Sequence, residues 1–128
     1  MKQIASQGEF GSRFILIDTT METTTESVTI DGRGLTLVGL ELPALTGVAG
    51  TANILEVPTF STQTPVALCD ATGTDIAITL PAANTIRVYR WSPTLFPSVG
   101  KIRLKLNTKT LAAGTTIGFL FIKPQGER

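Results

Sequence analysis

The chain has 128 residues, enough for one domain that buries a real core without disulfides. Apolar residues make up 42% and charged residues 16%, with a net charge of +1. Nothing in that balance draws the chain to nucleic acid or an anionic membrane, and the low charge leaves surface for a partner to cover. There is no histidine and only one cysteine, Cys69. That excludes His-based nucleophile pairs, an internal disulfide and a Cys/His zinc site.

Residues 1–13, "MKQIASQGEFGSR", are polar, lack periodicity and predict an arm or loose lead-in, with a β-sandwich domain over 14–128. The apolar stretch Phe14–Ile17 is too short for a signal-peptide core, and no segment approaches the ~20 apolar residues of a membrane span. The expectation is a protein made in the cytoplasm, with no membrane partner, that can still leave the cell inside a larger particle.

Weak strands are predicted at Phe14–Asp18, Glu26–Ile30, Ala52–Val57 and Val66–Asp70. The Thr-rich "METTTES" at 21–27 reads as a loop or an extended edge. "DGRG" at Asp31–Gly34 is a hairpin signal, since Asp-Gly supplies the backbone a tight turn needs. "LTLVGLEL" and "TTIGFLFIK" are nearly continuous apolar runs, suited to central strands covered on two sides. "DIAITL" alternates with Ile76, Ile78 and Leu80 inward. "TIRVYRW" is read with Ile86 and Val88 inward and Arg87, Tyr89 and Trp91 outward. "KIRLKL" alternates most cleanly, with Ile102, Leu104 and Leu106 on one face and Lys101, Arg103 and Lys105 on the other. Turn signals every 8 to 12 residues or so, and no helical period, predict an all-β chain. The expected form is a single jelly-roll-like antiparallel β-sandwich of eight or nine short strands.

The stretch "LCDATGTDIAITLP", Leu68–Pro81, concentrates Asp70, Asp75 and Cys69. It lacks the alternating oxygen ligands and distal Glu of a calcium loop, so a strand–turn–strand corner is expected, with no metal and no cofactor. Cys69 follows the apolar run "PVAL", which predicts a buried, inert thiol. No second carboxylate pair or phosphate-cradling glycine loop is present, and no enzymatic activity is expected.

From Arg87 to Lys123 every charged residue is basic. Three readings stand: a nucleic-acid face with Tyr89 and Trp91 stacking on bases, a solvated strand face paired with the acidic half, or charge complementarity between neighbouring subunits. The near-zero net charge weighs against nucleic acid.

From about Gly34 onward, the order of motifs resembles that of small β-sandwich virion proteins of tailed bacteriophages. The residues that carry the resemblance are "GLTLVGLELP", then "LCDATGTDIAITLPAANTIRV" with its D-x-T-G-T join, then "YRWSPTLFPSVGKIRLKL", and last "LAAGTTIGFLFIKP". Together they cover about three quarters of the chain. The resemblance implies a structural role, such as a capsid decoration (cement) protein or a head or tail component, located in the virion. The implied partners are the major capsid protein and copies of the chain itself, with a trimer as the first expectation. It carries over no catalytic or metal residues. The alternative is a tail or fibre component with a carbohydrate-binding β-sandwich. Candidate contact residues are Phe10 and Arg13 in the arm, the strand face Lys101, Arg103 and Lys105, and the aromatics Tyr89, Trp91 and Phe96. For Trp91 and Phe96, packing in the local core is an equal alternative.

Overall fold

The structure, a computed structural model, describes residues 2–3, 14–45, 50–59, 64–82 and 85–123. All ten elements are strands: β1 (Lys2–Gln3), β2 (Phe14–Thr20), β3 (Ile30–Asp31), β4 (Thr36–Leu42), β5 (Gly50–Glu56), β6 (Val66–Ala67), β7 (Ile78–Leu80), β8 (Arg87–Arg90), β9 (Lys101–Leu106) and β10 (Thr116–Ile122). Two antiparallel sheets form. The first has the order β1-β2-β10-β4-β8, and the second the order β3-β9-β5-β6, with β7 also on β5. β9 pairs along Ala52–Glu56, so β6 at Leu55–Glu56 and β7 at Gly50–Ala52 must share the opposite edge of β5. They occupy one strand position in series.

The sheets close on a single core. β4 supplies Leu37, Leu40 and Leu42, β10 supplies Ile117, Phe119 and Phe121, and β9 supplies Ile102, Leu104 and Leu106. Ala52 and Ile54 from β5 and Ile78 and Leu80 from β7 complete it. "KIRLKL" follows its predicted alternation, every second residue being buried. The two apolar runs, β4 and β10, are interior strands of the first sheet. Their outward residues Val38, Gly39 and Leu120 are buried as well, which is why these runs do not alternate. A register shift between Leu120 and Phe121 lets Val38 bulge between Leu37 and Gly39.

Four expectations are corrected here. The turn at "DGRG" exists, with Leu35 N–H donating to Gly32 O at 3.1 Å. It is not a hairpin, because β3 and β4 belong to different sheets; the turn carries the chain over the sandwich edge.

The faces of β8 are reversed. Tyr89 and Trp91 pack against the core, while Ile86 and Val88 are 68% and 51% exposed. β4 sets this register: Tyr89 stands opposite core-facing Leu40, and Val88 opposite Glu41. A strand can bury only one of its two alternating sets, and two aromatics bury more surface than Ile plus Val.

Cys69, expected inside, is exposed. Leu68 and Ile76 hold the base of the hairpin against the core, and Cys69, one residue further along, turns outward opposite Asp75. The strand predicted at Glu26–Ile30 is a pair of isolated bridges at Glu26 and Ser27 followed by the two-residue β3. The buried Ser27 hydroxyl accepts from Leu104 N–H at 2.9 Å, which occupies main-chain capacity that a continuous strand would use.

Candidate interaction surfaces

The outer face of the second sheet is polar and internally bonded. Asn107 donates from Nδ2 to Asn53 Oδ1 at 2.8 Å and to Thr51 Oγ1 at 3.1 Å, and Asn53 Nδ2 donates to Ile76 O at 2.9 Å. Arg103 does not contribute to an open cationic stripe. Its Nε donates to Thr29 Oγ1 at 2.9 Å, and one terminal nitrogen meets Glu22 at 3.1 Å and Glu26 at 3.2 Å. The Thr-rich loop positions these carboxylates. Thr23 Oγ1 accepts from Glu26 N–H at 3.0 Å, and Glu22 N–H donates to Glu26 O, folding the loop back over β9. Of the predicted cationic face, Lys101 and Lys105 remain exposed on either side of a neutralised arginine.

The outer face of the first sheet has a different composition. Pairing aligns Leu16, Leu120, Gly39 and Arg90 in one row, and Asp18, Gly118, Glu41 and Val88 in the next. Phe14 and Ile122 form a third. The Arg90 side chain runs from β8 across Gly39 and sets its guanidinium 4.8 Å from the centroid of the ring of Phe14, which stands on β2, three strands away. Gly39 makes this possible: a Cβ there would lie 2.5 Å from Tyr89 O and 3.4 Å from Arg90 Cδ. Asp18 and Glu41 have no hydrogen-bond or ion-pair partner among the described residues. With Ile86 they line a shallow depression of about 170 Å³.

Between the sheet edges β7 and β8 runs a groove of about 390 Å³. Tyr89, Trp91, Leu95, Pro81 and Ile78 line it. Trp91 is held in place by its indole N–H, which donates to Leu37 O at 2.8 Å, and by an edge-to-face contact with Phe96 at 5.8 Å. Burial pushes the Tyr89 phenol up from its ordinary pKa, with the nearby Arg87 charge pulling the other way. Phe96 is 2% exposed and belongs to the core, so it cannot anchor an external contact. Phe10 and Arg13 lie outside the described residues.

The D-x-T-G-T join is a self-contained turn. One Asp70 oxygen accepts from Thr72 Oγ1 at 2.7 Å, Thr72 N–H at 2.9 Å and Thr74 N–H at 3.1 Å, and Gly73 takes a φ of +87°. The Thr72 hydroxyl first, then these N–H groups, hold the Asp70 carboxyl below its ordinary pKa. The carboxylate is thus occupied as a turn acceptor. Among the described residues no group of three or more His, Cys, Asp or Glu side chains is placed to hold a metal ion, and no helix is long and apolar enough to cross a membrane.

No protein-family model, curated protein or solved structure matches the chain.

The sequence reading missed Ile86 and Val88 as surface residues and Arg90 as a strap over Phe14. A usable signal was present: Tyr89 and Trp91 share a parity opposite to Ile86 and Val88, and the aromatic set carries the larger apolar area.

Proposed function

We propose that this protein is a structural subunit of a tailed-bacteriophage particle, a capsid decoration or cement protein that binds the major capsid protein and copies of itself. The observation that carries the reading is the outer face of the first sheet. It presents Phe14, Leu16, Ile122, Val88 and Ile86 where a fully solvated sheet would place polar residues. The strand order supports it. Leaving β1 aside and counting β6 and β7 as one position, the sheets run β2-β10-β4-β8 and β3-β9-β5-β7. That order supports reading the sandwich as a jelly roll, an architecture found in viral capsid and lectin domains. A subunit that binds only the assembled shell stabilises it by mass action, and a symmetric lattice multiplies each weak contact.

The glycan-binding fibre reading ranks second, because a sugar platform needs an open aromatic face and both Tyr89 and Trp91 are half-buried. Nucleic-acid binding loses its central cation, Arg103, to Glu22 and Glu26.

The test adds purified protein to phage shells that lack it and follows the shell's melting temperature. Saturable binding that raises it by several degrees is expected. Replacing Ile86 and Val88 together by Ser should abolish that rise while changing the free protein's stability by no more than about 0.5 kcal/mol, as for other exposed positions. Failure of the wild-type protein to bind or stabilise the shell sinks the proposal.

A further inference from the structure

The outer face of the first sheet keeps its two signs of charge at opposite ends. Asp18, Gly118 and Glu41 stand side by side on β2, β10 and β4, and Val88 on β8 ends their row. Gly118 has no side chain, so the two acids face each other across a gap. Asp18 Oδ1 lies 3.2 Å, and Glu41 Cβ 3.4 Å, from the place a Cβ on Gly118 would take. Thr116, Pro43 and Ile86 extend this gap into the shallow depression beside it. The cation lies at the other end, where the Arg90 guanidinium covers the Phe14 ring. Between the two ends run Leu16 and Leu120. Four residues of extended chain separate Phe14 from Asp18 by about 13 Å, too far for the cation to reach the carboxylates of its own copy. Neither Arg90 nor Asp18 nor Glu41 has an ion-pair partner among the described residues.

We propose that this face binds the same face of a second copy, turned end for end, to give a symmetric dimer. The assignment rests on the reading of this face as a partner surface and names the partner. Charge selects both the occupant and its orientation. A surface with a cation at one end and two carboxylates at the other is complementary to itself when reversed. A two-fold axis running across the strands near the Leu16 row makes that reversal. It brings Leu16 of the two copies together at the centre and carries each Arg90 guanidinium towards the gap between Asp18 and Glu41 of the other copy. An axis along the strands would leave each row over its counterpart and set carboxylates against carboxylates.

The reversed pairing is an ordinary one for sheets, which pack face to face with their strands nearly aligned. It forms two equivalent clusters, each an arginine between two carboxylates, on either side of an apolar centre. Three strand spacings by six residue steps, with the side chains at the margin, make a patch of roughly 20 by 25 Å. Two such patches bury on the order of 1,000 Å², the low end for a specific interface, which fits micromolar affinity. An isologous contact of this kind closes at two copies, not at the three that the resemblance implies.

The test is sedimentation equilibrium of the intact protein with no shells present. A monomer–dimer equilibrium in the micromolar range is expected. Arg90→Glu protein should associate at least about tenfold more weakly, and so should protein carrying Asp18→Lys with Glu41→Lys, since each sets like charges together twice. The second variant leaves Arg90 over Phe14, so it reads the contact independently of that strap. Mixed in equal amounts, the two variants should recover wild-type affinity, because each contact between them again joins opposite charges. Wild-type protein that stays monomeric up to about 1 mM overturns the proposal. So does an oligomer that both variants leave intact, and so does a mixture of folded variants that fails to associate. Shell binding by a protein that stays monomeric would remove the dimer and leave the particle reading standing.

Discussion

Thr51, Asn53, Lys101, Arg103 and Lys105 leave the second sheet on its outer side, where Asn107 bonds to Thr51 and Asn53, and Thr29, Glu22 and Glu26 bond to Arg103. The matching positions of the first sheet are held by Phe14, Leu16, Leu120, Ile122 and Val88, with Gly39 and Gly118 between them. The two sheets contribute to one core and pair in the same antiparallel manner. They differ in how the outward half of each strand is completed. On the second sheet, polar side chains satisfy one another within the chain. On the first, one arginine crosses the face to an aromatic ring and apolar surface remains beside it. A face completed by internal hydrogen bonds has little left to offer a partner, whereas an apolar face whose Asp18 and Glu41 carboxylates have no partner among the described residues has both area and charge to offer.

The largest effect should come from the close approach that lets Arg90 lie down. Gly39→Ala places a methyl 2.5 Å from a main-chain oxygen, which cannot rotate away as a side chain could. The β4–β8 pairing must open, and the expected loss is about 2–3 kcal/mol, in the range for overpacked sites. A urea titration measures it as a lower midpoint with an unchanged slope. Lys105→Ala, on the outer face of the other sheet, should stay within about 0.5 kcal/mol. Comparable losses at both positions would erase the distinction between the two faces.

How much of this is legible in the sequence depends on which residues carry the pattern. β9 is legible in full, because each of its six residues obeys a period of two. The sandwich and the D-x-T-G-T turn are legible for similar reasons: turn chemistry is local, and Asp70 bonds only to its near neighbours. β8 misleads because both of its residue sets are hydrophobic enough to face inward, and the choice is made by Leu40 across the sheet, far away in sequence. Cys69 misleads because an apolar run says nothing about where a hairpin leaves the sheet. The basic strand is legible as a strand but not as a neutralised one, since Glu22 and Glu26 are about eighty residues from Arg103 and meet it only through the folded Thr-rich loop.

Arg103 sharpens the comparison from the polar side. Its side chain is 20% exposed and bonds to three partners from the other end of the chain. Arg103→Ala should cost about 1 kcal/mol, the upper part of the range for partly exposed ion pairs, and 1 M salt should shrink that difference. Lys101→Ala, two residues away on the same face, should cost no more than about 0.5 kcal/mol at either salt concentration. A salt-independent loss at Arg103 would mean that its contribution is packing of the stem and not pairing.

The smallest effect is in acid, and it too falls on the second sheet. Asp31 ends β3, and its carboxylate receives the Arg33 side chain at 2.7 and 2.9 Å and the Arg33 N–H at 3.1 Å. The side-chain bonds first, then the main-chain bond, hold its pKa down to about 2 against an ordinary 3.8. Asp70, in the hairpin of the same sheet, is displaced in the same direction. A carboxyl depressed in the folded state stabilises that state above the unfolded chain's pKa. As the pH falls from about 4 towards 2, the unfolded chain takes up a proton that the folded chain still refuses, and the contribution is lost. Both groups are fully exposed, so screening keeps the effect modest. Asp31→Asn should therefore be slightly less stable than wild type at pH 7, and the two should converge near pH 2. Denaturation curves at pH 7, 4 and 2 measure the gap. A constant gap across that range would show that the Asp31–Arg33 pair acts through geometry that asparagine also lacks, and not through its charge.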